Sequence, residues 1–387
     1  MKAEEVIGLI PDKVLDSLSV ETGVDCFVKK LSGKIIFKLF LYGILNCRNI
    51  SLRILETIFN SEKFKDLFQL NITSIKHSGL GMRLTSVDYH YFEKIFQYLL
   101  DSDIVKEIFF AQKRINVRKI DSTIVVLSSK LLKVGMDTHQ GRTNLKYSVE
   151  INQGIPVNFV LHTEQTYMSE DRALPELIKR KMANSSLNIA LFDRGVRRRQ
   201  TFIELSNKNI FFVSRLNNQK YIVVNNISFE KVDTSTLEVI SDQTIKFQNC
   251  EETIDTEFRL VIGMNTETKQ TISFLTNIDF LTAQEITELY KSRWEIETFF
   301  KFIKQELNFS HLLNRSENGI KVLMYLTMIT AILLTIYKKT NKIVGWMVAK
   351  IKFLDELEKD LMYNWHDEMT PAFYPTKDKY LAKIRSG

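Results

Sequence analysis

Residues 119–127 read Lys-Ile-Asp-Ser-Thr-Ile-Val-Val-Leu, KIDSTIVVL, and here the texture of a 387-residue chain changes. Upstream, apolar residues recur at three- and four-residue steps through Lys34–Leu45, Leu52–Leu67 and Val87–Leu100, the period of amphipathic helices. Thr85 and Asp88 make a capping-box-like start for the third. From KIDSTIVVL onward, short β-branched runs such as LKYSVEI and VNFVLHT are separated by Gly, Asn and Asp, the pattern of neighbouring strands. A sheet therefore begins near Lys119. Asp121, within or at the edge of that first strand, is a carboxylate in an apolar run, and its desolvation is costly unless a cation pairs with it.

Next come a helix over Asp171–Met182, an apolar strand NIALF ending at Phe192, a basic helix from about Arg197, and a strand IFFVS ending at Ser214. Strands alternating with helices predict an α/β layer architecture. Between Asn217 and Thr268 the helical period is lost, and YIVV, TLEVI, TIKFQ and FRLVIG predict an all-β insertion. Thr282 and Glu285 then form a Thr-x-x-Glu box that opens a long helix running to about Leu307. Helices over Gly319–Lys339 and Lys342–Asn364 follow, then a polar tail with Pro371 and Pro375. The expected division is a helical N-terminal unit (1–115), the first part of an α/β core (116–216), a β-rich insertion (217–268), the second part of the core with the long helix (269–340), and a helical C-terminal region (341–387).

With 44% hydrophobic residues the chain can build real cores, and 53 Lys+Arg against 46 Asp+Glu favours a polyanionic partner. Cys26, Cys47 and Cys250 lack the paired spacings of a zinc site or disulfide framework, which fits a reducing cytosol. The N-terminus shows no secretory signal. Val322–Tyr337 is apolar, but its 16 residues include three threonines and fall short of the roughly 20 that a bilayer requires, so we read a core helix and no membrane partner.

On the long helix, Tyr290, Arg293, Glu297 and Lys304 stand three, four and seven residues apart, steps that return to one face. Ile296, Phe299 or Phe300, Ile303 and Leu307 form an apolar stripe beside them. Such a ladder is also common on plain solvated helices. Asp193, in LFDRGVRRRQ, follows an apolar strand, where α/β sheets commonly place catalytic groups. Arg194, Arg197, Arg198 and Arg199 crowd the start of the next helix, against its dipole, and either solvent or bound phosphates offset that. Asp121, Asp193 and Glu297 together would suit Mg²⁺ or Mn²⁺, two ions about 3.5–4 Å apart, with Arg293 and Lys304 on nearby DNA phosphates.

The block from Thr276 to Leu312 resembles the signature of DDE transposases of bacterial insertion sequences, specifically the IS-four family. Its Tyr-x2-Arg-x3-Glu-x6-Lys motif falls on Tyr290, Arg293, Glu297 and Lys304. Asp121 in Asp-Ser-Thr and Asp193 in Asp-Arg-Gly resemble that family's first and second acids, 72 residues apart, with 104 more to Glu297. The resemblance covers Lys119–Leu312, about half the chain. It implies a ribonuclease-H-like core, cut-and-paste transposition with Asp121, Asp193 and Glu297 as catalytic metal ligands, binding of terminal inverted repeats and target DNA, and a homodimeric paired-end complex. A transposase of this kind works in the bacterial cytoplasm and associates with the nucleoid when bound to DNA.

One departure is the β insertion, which lacks the tryptophan on which some relatives stack a flipped base. Of the three tryptophans, Trp294, Trp346 and Trp365, the first reads as core packing. Lys146 matches a lysine often found in relatives and is a DNA-contact candidate, although an exposed strand lysine is the plainer reading. Two alternatives stay open: a catalytically silent DNA-binding remnant or regulator, and a related two-metal nuclease.

Overall fold

Serine and aspartate caps open five of the N-terminal helices among the described residues. Ser32, Ser51 and Ser61 accept the amides of Ile35, Ile54 and Phe64, satisfying donors that the first turn leaves unpaired. The structure is a computed structural model describing residues 1–72, 74–111, 115–127, 135–137, 143–180, 187–217, 219–230, 237–248 and 253–369. Its first helices are α1 (Ala3–Ile7), α2 (Asp12–Thr22), α3 (Gly33–Asn46), α4 (Leu52–Asn60), α5 (Glu62–Leu67), α6 (His77–Ser86), α7 (Tyr89–Asp101) and the short α8 (Asp103–Val105). Asp88 alone caps α7, its carboxylate accepting the His90 amide. Thr85 instead lies inside α6, where its hydroxyl turns back to the Gly81 carbonyl, so the expected Thr85–Asp88 box does not form.

The sheet begins with β1 (Ile115–Leu127), β2 (Met136–Asp137), β3 (Thr143–Asn152) and β4 (Ile155–His162). Then come α9 (Glu170–Ile178), β5 (Leu187–Phe192), α10 (Arg199–Asn207) and β6 (Phe211–Arg215). Next are β7 (Tyr221–Asn226), β8 (Leu237–Gln248), β9 (Thr253–Asn265) and β10 (Thr271–Thr276). The chain closes with α11 (Ala283–Lys291), α12 (Trp294–Glu306), α13 (Glu317–Thr340) and α14 (Trp346–Met369). The expected helix end at Met182, Cys250, and the tail with Pro371 and Pro375 lie outside the described residues.

Among the described residues all ten strands join one sheet, in the order β2-β3-β1-β5-β6-β10-β9-β8-β7, with β4 also on β3. Strands β1, β5 and β6 are parallel, while β3, β4 and β10 run antiparallel to their neighbours. Alternation along β5 divides the core in two. Ala190 and Phe192 pack with Leu174, Leu177 and Phe202 of α9 and α10, whereas Ile189 and Leu191 pack with Ile286 and Tyr290 of α11 on the other face. The expected apolar stripe of α12 is buried, with Ile296, Ile303 and Leu307 all at 0% exposure.

A third core gathers the N-terminal helices around α13, together with β3, α12 and α14. Helix α13 is long and apolar enough to cross a bilayer, yet 94% of its most apolar window is buried inside the protein. Three of its threonines, Thr327, Thr330 and Thr335, bond the carbonyls four residues back at 2.9, 2.7 and 2.6 Å, which satisfies each hydroxyl without an outside partner.

Candidate active site

Strand register brings the two aspartates together. The parallel β1–β5 ladder ends at Lys119↔Leu191, so continuing both strands by two residues sets Asp121 opposite Asp193 at the carboxyl end of β5. Open sheets leave a crevice there because the following turns diverge. Asp121 is still in β1, paired with Val149 of β3, and accepts the Ser122 amide at 2.7 Å. Burial pushes its carboxyl up to about 6; the Ser122 amide and Arg293 oppose that rise, while Glu170 and Asp193 add to it.

The third acid arrives from across the crevice. Tyr290, at the end of α11, donates its hydroxyl to Asp193 at 3.3 Å. Arg293 donates to Asp121 at 3.3 Å and to Glu297 on the next turn. Arg293 is 8% exposed, lies over the Tyr290 ring at 5.7 Å, and its Nε has no hydrogen-bond partner. One guanidinium thus neutralises two of the three acids. Lys119, buried on β1, reaches Glu295 at 2.7 Å and ties α12 to the same strand.

The expected single helix is two. At Ser292 and Arg293 the backbone tightens into three-residue bonds, Arg293 N to Tyr290 O and Ile296 N to Arg293 O, at 2.9 and 3.0 Å. Trp294, just past this turn, is 65% exposed, so the core-packing reading fails. The tightened turn advances each residue further round the axis than an α-helix would, moving Trp294 off the apolar stripe.

The remaining candidates separate. Arg194 and Arg197 line an open cleft beside Asp193 with Arg199, Arg215 and Lys220. Arg198 lies on a different surface, with Glu164, Asp171 and Glu176. The arginine-rich helix start is relieved internally, because Asp171 accepts the amides of Arg197 and Arg198 at 2.5 and 2.8 Å. Lys146 is 2% exposed, not an exposed strand lysine, and donates to the Met168 carbonyl at 2.9 Å. Its charge lies within reach of Glu170 and Asp121, and burial lowers its pKa. Lys304 is half-buried two turns beyond Glu297 and has no hydrogen bond or ion pair to the three acids.

The sequence reading missed Glu170. Its carboxylate accepts the Ser122 hydroxyl at 3.1 Å beside Asp121. Only the acidic start of the helix following β4 hinted at it.

Among the described residues, no three His, Cys, Asp or Glu side chains are grouped closely enough to hold a metal ion as they stand. The donor chemistry nevertheless suits a hard divalent cation: the oxygens of Asp121, Asp193 and Glu297, with Asp121 resisting ionisation and Arg293 short of one partner.

Residues 112–334, more than half of the chain, match the transposase DDE domain family. A transposase of insertion sequence element IS4SA from Synechocystis is 27% identical over 312 residues, 75% of this chain and 84% of that protein. A transposase of insertion sequence element IS5377 from Geobacillus stearothermophilus is 26% identical over 57% of this chain and 52% of its own length. A solved piggyBac transposase synaptic complex with hairpin DNA aligns over 99% of this chain and 84% of its own at 9% identity, with a TM-score of 0.46. The protein belongs to the DDE transposases of insertion sequences.

Proposed function

We propose that this transposase excises and reinserts its own insertion sequence by cut-and-paste chemistry at the terminal inverted repeats, with Asp121, Asp193 and Glu297 holding two divalent ions, Mg²⁺ or Mn²⁺. The observation that carries the reading is the chain of contacts from Asp193 through Tyr290 and Arg293 to Asp121 and Glu297. A ribonuclease-H-like core is supported by the strand order β4-β3-β1-β5-β6, antiparallel up to β1 and parallel after it.

When bound, the ions would activate water or a 3′-hydroxyl on one side of the scissile phosphorus and stabilise the leaving oxygen on the other. The protein's own part is placement. Tyr290 fixes the Asp193 carboxylate, and Arg293 keeps Asp121 and Glu297 from repelling each other. Arg194 and Arg197 offer guanidinium groups to DNA phosphates beside Asp193, and Lys304 and Arg198 are more distant phosphate contacts. Lys146 acts from beneath the site, by its charge near Asp121. The 1–115 unit is assigned to terminal-repeat recognition, and two copies pair the element's ends in the cytoplasm, at the nucleoid.

The test is cleavage and strand transfer of a labelled duplex bearing the element's terminal repeat, in Mg²⁺ or EDTA, by wild type and Asp193→Asn. Metal-dependent 3′-hydroxyl release and joining, lost in the variant, is the expected outcome. End binding without cleavage by wild type would identify a silent DNA-binding protein, and cleavage without joining a nuclease.

A further inference from the structure

Glu170, the first residue of α9, holds its carboxylate where a side chain at position 195 would begin. A methyl group built on Gly195 would lie 1.3 Å from Glu170 Oε2 and 2.5 Å from its Cδ. The backbone of the Asp193-Arg194-Gly195 turn therefore rests against this carboxylate. The other oxygen, Oε1, accepts the Ser122 hydroxyl at 3.1 Å. Alternation along β1 turns Asp121 toward Arg293 and its neighbour Ser122 toward α9. One carboxylate thus touches both the strand that carries Asp121 and the turn that carries Asp193.

Helix α9 is anchored so that this contact is held from both ends. At its start, Asp171 accepts the amides of Arg197 and Arg198, just beyond the same turn. At its end, Arg118 donates to the carbonyls of Leu177 and Ile178 at 2.8 and 3.2 Å while pairing with Glu150, and both side chains are 2% exposed. Buried Lys146 lies within electrostatic reach of both Glu170 and Asp121 and bonds the carbonyl of Met168, two residues before Glu170.

We propose that Glu170 is a positioning residue for DNA cleavage: its carboxylate sets the spacing between Asp121 and the Asp193 turn, and position 195 is glycine because that carboxylate fills the place of its side chain. The proposal rests on the reading of Asp121 and Asp193 as catalytic acids. Because the two nearest blocking atoms, Oε2 and Cδ, are the far end of a flexible side chain and only Cβ, at 3.0 Å, is nearer its root, Gly195→Ala should displace the Glu170 carboxylate rather than unfold the protein. Misplacing a reacting group by about 1 Å can cost up to about 100-fold in rate.

The experiment is a double-mutant cycle of Glu170→Ala and Gly195→Ala in the full chain, with Glu170→Gln alongside. Cleavage rate at saturating terminal-repeat DNA, end-binding Kd and melting temperature are read for each. Each single alanine variant should cut at least about tenfold more slowly with unchanged Kd, and the double variant should be no worse than the poorer single. Glu170→Gln, which keeps an oxygen for Ser122 and the same bulk, should recover most of the rate. Losses that multiply in the double variant, or wild-type cleavage by Glu170→Ala, would overturn the proposal while leaving the catalytic reading intact. No cleavage by wild type would overturn the catalytic reading and this role with it.

Discussion

Asp121 is ionised at neutral pH against the resistance of its surroundings, and that resistance sets a measurable pH dependence. Its folded-state pKa near 6 stands above the ordinary carboxyl value. Below about pH 4 the group is protonated in folded and unfolded chains alike and costs nothing. Between 4 and 6 only the folded chain keeps the proton, so stability falls as pH rises, and above 6 the whole cost, on the order of 2–3 kcal/mol, is present. In metal-free buffer, Asp121→Asn should therefore raise stability by about 1–3 kcal/mol at pH 7 and leave it unchanged at pH 4, as read by thermal denaturation across pH. An equal gain at both pH values would refute the burial argument. Arg293→Ala should do the reverse at neutral pH, costing about 1–3 kcal/mol in urea titration, because Asp121 and Glu297 lose their shared donor. At this scale the spacing of Tyr290, Arg293 and Glu297 suggested a shared face, and the structure gathers the three at the crevice although their helix is broken between them. The sequence hid Glu170, because an acid at the start of a helix is ordinary and its partner Gly195 is 25 residues away.

Elements were legible where their signals are local. The Thr282–Glu285 box, the apolar stripe of α12 and the apolar strand β5 follow from neighbours within a turn or a strand step. The break between α11 and α12 was not legible, since Ser292 and Arg293 carry no stop signal and the tightened turn accompanies Arg293 bonding across the crevice to Asp121. Lys146 was misread for a similar reason: β3 is buried along its whole length, so the alternation that would have exposed the lysine is absent. Helix α9 offers an element-scale test. Glu150→Ala leaves Arg118 as an unpaired buried charge and should cost about 3–5 kcal/mol in urea denaturation. A loss below about 1 kcal/mol would mean that the carbonyls of Leu177 and Ile178 hold Arg118 unaided.

At the scale of the molecule, α13 is the hub on which the N-terminal helices, α14 and β4 are packed. Ile329, fully buried at its middle, should cost about 2–5 kcal/mol on substitution by alanine. Because one core takes in both ends of the described chain, the loss should appear as a single transition, with far-ultraviolet and near-ultraviolet circular dichroism coinciding. Two separated transitions would show that the N-terminal helices unfold alone. What the sequence determined by itself was the order of helices and strands, the position of the four-residue motif and its two upstream acids, and the core nature of the apolar helix. Each depends on periodicity or spacing along the chain. Only the tertiary structure decided that the register of the β1–β5 ladder carries Asp121 opposite Asp193, that Lys146 lies buried beside them, and that Glu170 fills the space at Gly195. Those relations join segments tens of residues apart, and packing, unlike periodicity, leaves no trace in the spacing of residues along one strand of sequence.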